Sequence, residues 1–143
     1  MASATTSDYL YTNQMNFLLH TTSWASVPII YVALFNAVPG LDGNSGTEVP
    51  TTGTGYGRIG VLAGGWNGPT GGNLEYSNSG DIQYGTPSAN WNTIVGAGLY
   101  DSDIGGSNNL LFVAYLTTQK VVNDGDGAPK ILAGQLRITR ATC

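Results

Sequence analysis

The chain has 143 residues, a formal net charge of −4 and a charged fraction of 10%, far below the ~25% of an average soluble domain. Five Lys and Arg in the whole sequence exclude the clustered cations that phosphate contacts need, so no nucleic-acid partner is expected. No basic amphipathic segment points to a membrane surface, and the longest apolar run is too short to cross a bilayer as a helix.

Low charge with 10% aromatic residues does not describe a disordered chain, which favours high charge and few aromatics. A surface of hydroxyls, amides and glycine backbone suits packing against other protein, where buried charges would need partners. One cysteine, Cys143, gives no intrachain disulfide and no thiolate metal cluster. The stretch Met1-Ala2-Ser3-Ala4-Thr5-Thr6 has neither charge nor an apolar core, so no secretory signal is expected and synthesis is expected in the cytoplasm.

In chain order, residues 1–6 are small and polar and read as a flexible N-terminal arm. Residues 7–143 read as one β-rich domain. Ser7-Asp8 supplies an N-cap and an acidic first turn for a helix ending near His20. Tyr11, Met15 and Leu18 fall at i, i+4 and i+7, with Leu10, Phe17 and Leu19 beside them, which predicts an amphipathic helix packed on a sheet. Residues 21–27, with Trp24, connect it to Pro28-Ile29-Ile30-Tyr31-Val32-Ala33-Leu34-Phe35-Asn36. That apolar, β-branched run predicts a strand buried on both faces, roughly 23 Å long. Leu110-Leu111-Phe112-Val113-Ala114-Tyr115-Leu116 has the same character, and the two are expected to pair as central strands.

Between them lies a loop over residues 37–54, punctuated by Gly and Pro and long enough to suggest a function. Further strands are predicted around Tyr56–Ala63, Asn73–Ser77, Asp81–Tyr84 and Ile94–Tyr100. Gly64-Gly65-Trp66-Asn67-Gly68-Pro69 reads as a turn that exposes Trp66 at its tip. Lys120–Val122 and Ile131–Thr139 close the chain around the turn Asn123-Asp124-Gly125-Asp126-Gly127. One helix and about seven or eight strands predict a mainly β fold, either a β-sandwich or a small β-barrel.

Motifs that carry chemistry are thin. Gly55-Tyr56-Gly57-Arg58-Ile59-Gly60 matches G-x-G-x-x-G, but no helix follows to receive a pyrophosphate, so the glycines read as the approach to a strand. Asp124 and Asp126, like Asp101 and Asp103, read as turn formers, because the calcium-loop position twelve after Asp124 is Gln135. His20 is the one histidine, and neither a catalytic triad nor a defined carboxylate pair among Glu48, Glu75 and Asp81 stands out. No enzyme activity, cofactor or metal is expected. Trp24, Trp66 and Trp91 suit either core packing or sugar stacking, with Trp66 the one most suited to contact.

A set of motifs in order resembles a family of small virion structural proteins of tailed bacteriophages. They are Ser7-Asp8-Tyr9-Leu10, Ile30-Tyr31-Val32-Ala33-Leu34-Phe35 with Pro39-Gly40, and Gly46-Thr47-Glu48-Val49. Gly55-Tyr56-Gly57-Arg58, Leu110-Leu111-Phe112 with Ala114-Tyr115-Leu116-Thr117-Thr118, Val122-Asn123-Asp124-Gly125-Asp126 and Ala133-Gly134-Gln135-Leu136-Arg137-Ile138-Thr139 complete the set. Members are often labelled tail-fibre-like or minor tail proteins. The resemblance implies a non-enzymatic virion protein whose partners are the major capsid protein or tail proteins.

Within that class, a capsid decoration or cement protein is the first expectation, because a compact domain with an arm and no fibrous repeat suits many identical contacts. A tail or tail-fibre component, as adaptor or host-glycan contact, is the second, and a carbohydrate-binding module the third. A homo-oligomer is expected, with a trimer favoured. The arm and the long loop supply the expected partner contacts: Ser3, Thr5, Leu41, Asn44 and Glu48, together with Trp66. Deleting residues 1–6 is then expected to weaken particle association without unfolding the domain.

Overall fold

Pro28 ends a connector and releases the chain into its most β-prone run, and that run forms a central strand. The computed structural model describes residues 2–20, 23 and 25–139; Trp24 and Cys143 lie outside the described residues. These form, in order, β1 (Ala2–Thr6), α1 (Asp8–Leu19), β2 (Ile29–Ala37), β3 (Thr47–Glu48), β4 (Ile59–Leu62) and β5 (Trp66–Thr70). They continue as β6 (Glu75–Asn78), β7 (Ile82–Gln83), β8 (Asn92–Tyr100), β9 (Leu110–Val122), β10 (Lys130–Ile131) and β11 (Leu136–Ile138).

The main sheet has the order β3-β2-β8-β9-β1-β11-β6-β5, with β4 also paired to β2, and β7 and β10 form a separate two-stranded sheet. The order never returns on itself, so the sheet is open and the fold is mainly β and sandwich-like rather than a barrel. The apolar run in β2 is buried on both faces as its sequence predicts, with Val32, Ala33, Leu34 and Phe35 all inside. Val32 and Leu34 join the larger core with Ala97, Leu99, Ala114 and Leu136, while Ala33 and Phe35 join Tyr100, Leu110 and Val113 on the opposite face. The small β7–β10 sheet and the fully buried Trp91 cover the larger core, which also holds Ile82, Tyr84 and Val122.

Four expectations change. The two apolar runs are not direct partners, because β8 lies between β2 and β9 and pairs antiparallel with both. Gly96 and Gly98 make that possible. A Cβ at Gly98 would stand 2.9 Å from the rings of both Phe35 and Tyr100, so the missing side chains make room for those two rings.

Residues 2–6 are a strand rather than a free arm. β1 runs antiparallel to β9, with Ala4 opposite Ala114, and parallel to β11, with Ala4 opposite Ile138. Its side chains are small, so it carries no apolar alternation, and its place comes from two ladders of distant backbone.

The helix starts and stops where the sequence places it. Ser7 caps it by accepting from the Leu10 N–H at 3.2 Å. The Ser7 hydroxyl also donates to the Leu110 carbonyl, the Ser7 N–H to Leu111 at 2.8 Å, and the Asp8 N–H to the Leu41 carbonyl at 2.9 Å. Those bonds fix the helix by its first turn against β9. Leu10 is the buried residue of α1, and Tyr11, Phe17, Leu18 and Leu19 are exposed. Of the apolar stripe expected to pack on the sheet, only Leu10 is buried and Met15 is half-buried, while the rest stays exposed.

The segment 66–70, expected as a turn, pairs with β6 as an edge strand. Trp66 is half-buried at its start rather than exposed at a loop tip.

Candidate functional site: the Glu48–Arg58 cleft and the Trp66 groove

The loop after β3 turns back sharply before β4. Thr54 holds the turn, its hydroxyl donating to the Pro50 carbonyl and accepting from the Tyr56 N–H at 3.2 Å. Gly55 follows with φ of +75°, and a Cβ there would lie 2.3 Å from the Thr86 carbonyl oxygen. Only glycine fits so close a crossing of two backbones. Tyr56 is thereby directed under β2, where its hydroxyl accepts from the Leu34 N–H at 2.8 Å and donates to Glu48 Oε1 at 2.9 Å. Its ring stacks on Tyr84 at 6.1 Å between centroids and meets Trp91 edge-on at 5.4 Å. The Trp91 indole N–H donates to the Thr54 carbonyl at 2.8 Å.

Two residues later Arg58 enters the same cluster. Its Nε donates to Glu48 Oε1 at 2.9 Å, its Nη2 to Glu48 Oε2 at 2.8 Å, and its Nη1 to the Ser102 carbonyl at 3.1 Å. The guanidinium lies 3.9 Å from the centre of the Tyr100 ring, within cation–π range. Burial works against the Arg58 charge, but hydrogen bonding and the Glu48 carboxylate outweigh it and hold the guanidinium above its ordinary range. Burial pushes the Tyr56 phenol well above its usual range, and the Glu48 charge beside it adds to the effect.

Glu48, Val49, Arg58, Ile104, Gly106 and Asn108 line an open cleft of about 430 Å³ beside this pair. Glu48 is bonded by Tyr56 and by both ends of the Arg58 fork. What this arrangement does chemically is tie the loop around β3 to the 101–109 loop.

An apolar groove of about 390 Å³ lies elsewhere, lined by Pro28, Ile30, Val61, Trp66, Phe112 and Ile138 among others. Trp66 Nε1 is buried and has no hydrogen-bond partner among the described residues.

The residues singled out by sequence do not converge on one place. Glu48 is in the cleft and Trp66 in the groove. Leu41 and Asn44 are exposed on the loop beside the start of α1, where Asn44 is held by Asp42 through its N–H at 3.0 Å. Ser3 pairs through its backbone with Tyr115 and Arg137, and Thr5 is exposed on β1. The aspartate pairs act in turns: Asp126 accepts from the Asn123 N–H at 2.7 Å, and Asp101 accepts from the Asn109 N–H at 3.0 Å. Among the described residues no three His, Cys, Asp or Glu come together as metal ligands.

Arg58 is the residue that sequence reasoning passed over. It is one of only five Lys and Arg, and it directly follows Gly55-Tyr56-Gly57. In a chain this poor in cations, that setting is the signal that could have marked it. Asn78 gave no such signal, yet it is 1% exposed and bonds to Gly80, Leu132 and Leu136.

No curated protein matches the chain. A family model described as Podophage GP4 fiber I protein gp80 matches residues 5–139, and the chain belongs to that family. It is a structural component of the tailed-phage kind.

Proposed function

From that membership we propose that the chain serves in the virion as a subunit of the tail-fibre apparatus, acting as a non-enzymatic adaptor between neighbouring structural proteins. The observation that carries this reading is the match to a fibre protein family across residues 5–139. The site geometry agrees with it. The Glu48–Arg58–Tyr56 cluster spends its polar groups on holding loops in place, as a part that bears mechanical contacts requires. Trp91 is fully buried and offers no face to a pyranose ring, while Trp66 is half-buried in the wall of the apolar groove.

Decoration of the capsid shell, the first expectation from composition, is the competing position. It drew support from a free N-terminal arm, and residues 2–6 form a strand in the sheet. Gold-labelled antibody against the chain, applied to intact purified particles, separates the two positions. Label confined to the tail end supports the fibre reading, and label spread evenly over the capsid overturns it.

A further inference from the structure

The hairpin of β5 and β6 turns through Gly71-Gly72-Asn73-Leu74, between the paired residues Thr70 and Glu75. The Leu74 N–H donates to the Gly71 carbonyl at 3.2 Å and closes the turn. Both ends of it are left-handed, with φ of +65° at Gly71 and +50° at Leu74. Glycine adopts that backbone freely. In a leucine the Cβ crowds the next carbonyl, so a bulky side chain there is strained. Ser45, Asn92 and Asn108 also hold a positive φ, and all three carry short polar side chains. Leu74 is the bulky apolar one.

Nothing inside the fold offsets that strain. Leu74 is 47% exposed and belongs to neither buried cluster. An apolar side chain held in strained backbone, in water, works against both stability and solubility. Residues that break local rules in this way persist where function uses them. The tip is also slender. A Cβ at Gly71 or at Gly72 would meet nothing within 4 Å, so bare backbone surrounds the one leucine. No charged residue occurs from 66 to 74, and β5 is the last strand of the main sheet.

We propose that Leu74 is the anchor by which the β5–β6 tip seats in an apolar recess of a neighbouring virion protein. That recess takes the leucine side chain on its floor. Around it, uncharged hydrogen-bonding groups meet the bare backbone of Gly71 and Gly72. The anchor role stands on the backbone geometry, whereas the class of partner rests on the adaptor reading above.

The test is a competition inside infected cells. The infecting phage supplies the natural chain and the host supplies a variant. The ratio of the two in purified particles is compared with that in the lysate, using mass spectrometry of the peptide that holds residue 74. Leu74→Gly and Leu74→Asn remove the apolar side chain and suit the left-handed backbone, while Leu74→Met keeps the apolar bulk. The Gly and Asn variants are expected to melt at the natural Tm or roughly 2–4 °C above it. They are nevertheless expected to be depleted from particles about tenfold. Leu74→Met is expected to enter particles as the natural chain does.

Gly and Asn variants that enter particles as readily as the natural chain overturn the proposal. So do variants that melt below it, which would make Leu74 a residue of the fold. Light scattering gives the third outcome: a natural oligomer that Leu74→Gly reduces to single chains would seat the tip in a second copy, and overturns the assigned partner. Failure of the adaptor reading is seen separately, as antibody label of the natural chain spread over the capsid.

Discussion

Arg58 grips both carboxylate oxygens of Glu48, at 2.9 and 2.8 Å, with its side chain 3% exposed and that of Glu48 21% exposed. Breaking a buried pair strands the surviving charge, which costs more than the pair itself contributes. Glu48→Ala is expected to destabilise the fold by about 3 kcal/mol, seen as a fall in Tm of roughly 10 °C. The double variant Glu48→Leu/Arg58→Met removes both charges and is expected to recover most of that loss. A Glu48→Ala chain that melts with the natural one would show that the pair is not held as described.

Tyr56, Tyr84 and Tyr100 make stability depend on alkaline pH. Burial raises all three phenols above their ordinary value, the Glu48 charge adding to the effect, while the Arg58 charge partly opposes it at Tyr100. With the folded-state pKa above the unfolded ~10, only the unfolded chain releases the proton as pH rises. The stability is therefore fully present below about pH 10 and declines above it. The phenolate absorbance of these three residues, assigned with Tyr→Phe variants, is expected to appear together with loss of the circular dichroism signal. Its reversible appearance while the sheet is intact would contradict their burial.

β1 changes what an N-terminal truncation should do. Ala2 to Thr6 bridges β9 and β11, so removing these residues leaves two unpaired edges in the middle of the sheet. A chain lacking residues 2–6 is expected to lose cooperative melting or to aggregate, not merely to bind particles less well. A truncated chain with the natural Tm would restore the view of these residues as a separable arm.

Asn78 organises the C-terminal turn from inside. Its amide nitrogen donates to the carbonyls of Gly80 at 2.8 Å and Leu132 at 3.0 Å, and its Oδ1 accepts from the Leu136 N–H at 3.0 Å. Asn78→Ala strands these buried backbone groups and is expected to cost about 2–4 kcal/mol, measured by denaturant unfolding. A loss under about 0.5 kcal/mol would mean that water replaces the amide at no cost.

These cases show which features the sequence makes legible. The Ser7 cap, the span of α1 and the doubly buried β2 rest on neighbours along the chain, and local pattern places them closely. The insertion of β8 between β2 and β9 depends on how distant strands meet, and two similar apolar runs do not reveal what lies between them. Ala2-Ser3-Ala4-Thr5-Thr6 has no alternation to mark it as a strand, because both of its partners come from the far end of the chain. The Tyr11–Met15–Leu18 stripe shows that a helix has an apolar face, but not which body covers it. Of the cleft, Glu48 is legible as part of the long loop, while its pairing with Arg58 is not, because the nine turn-rich residues between them carry no period that would join the two.

The central claim, a fibre component rather than a shell protein, is tested most directly by the number of copies per purified particle. Quantitative mass spectrometry against the major capsid protein gives that number. The account predicts a small count set by the symmetry of the tail, and a count comparable to that of the capsid protein would contradict it.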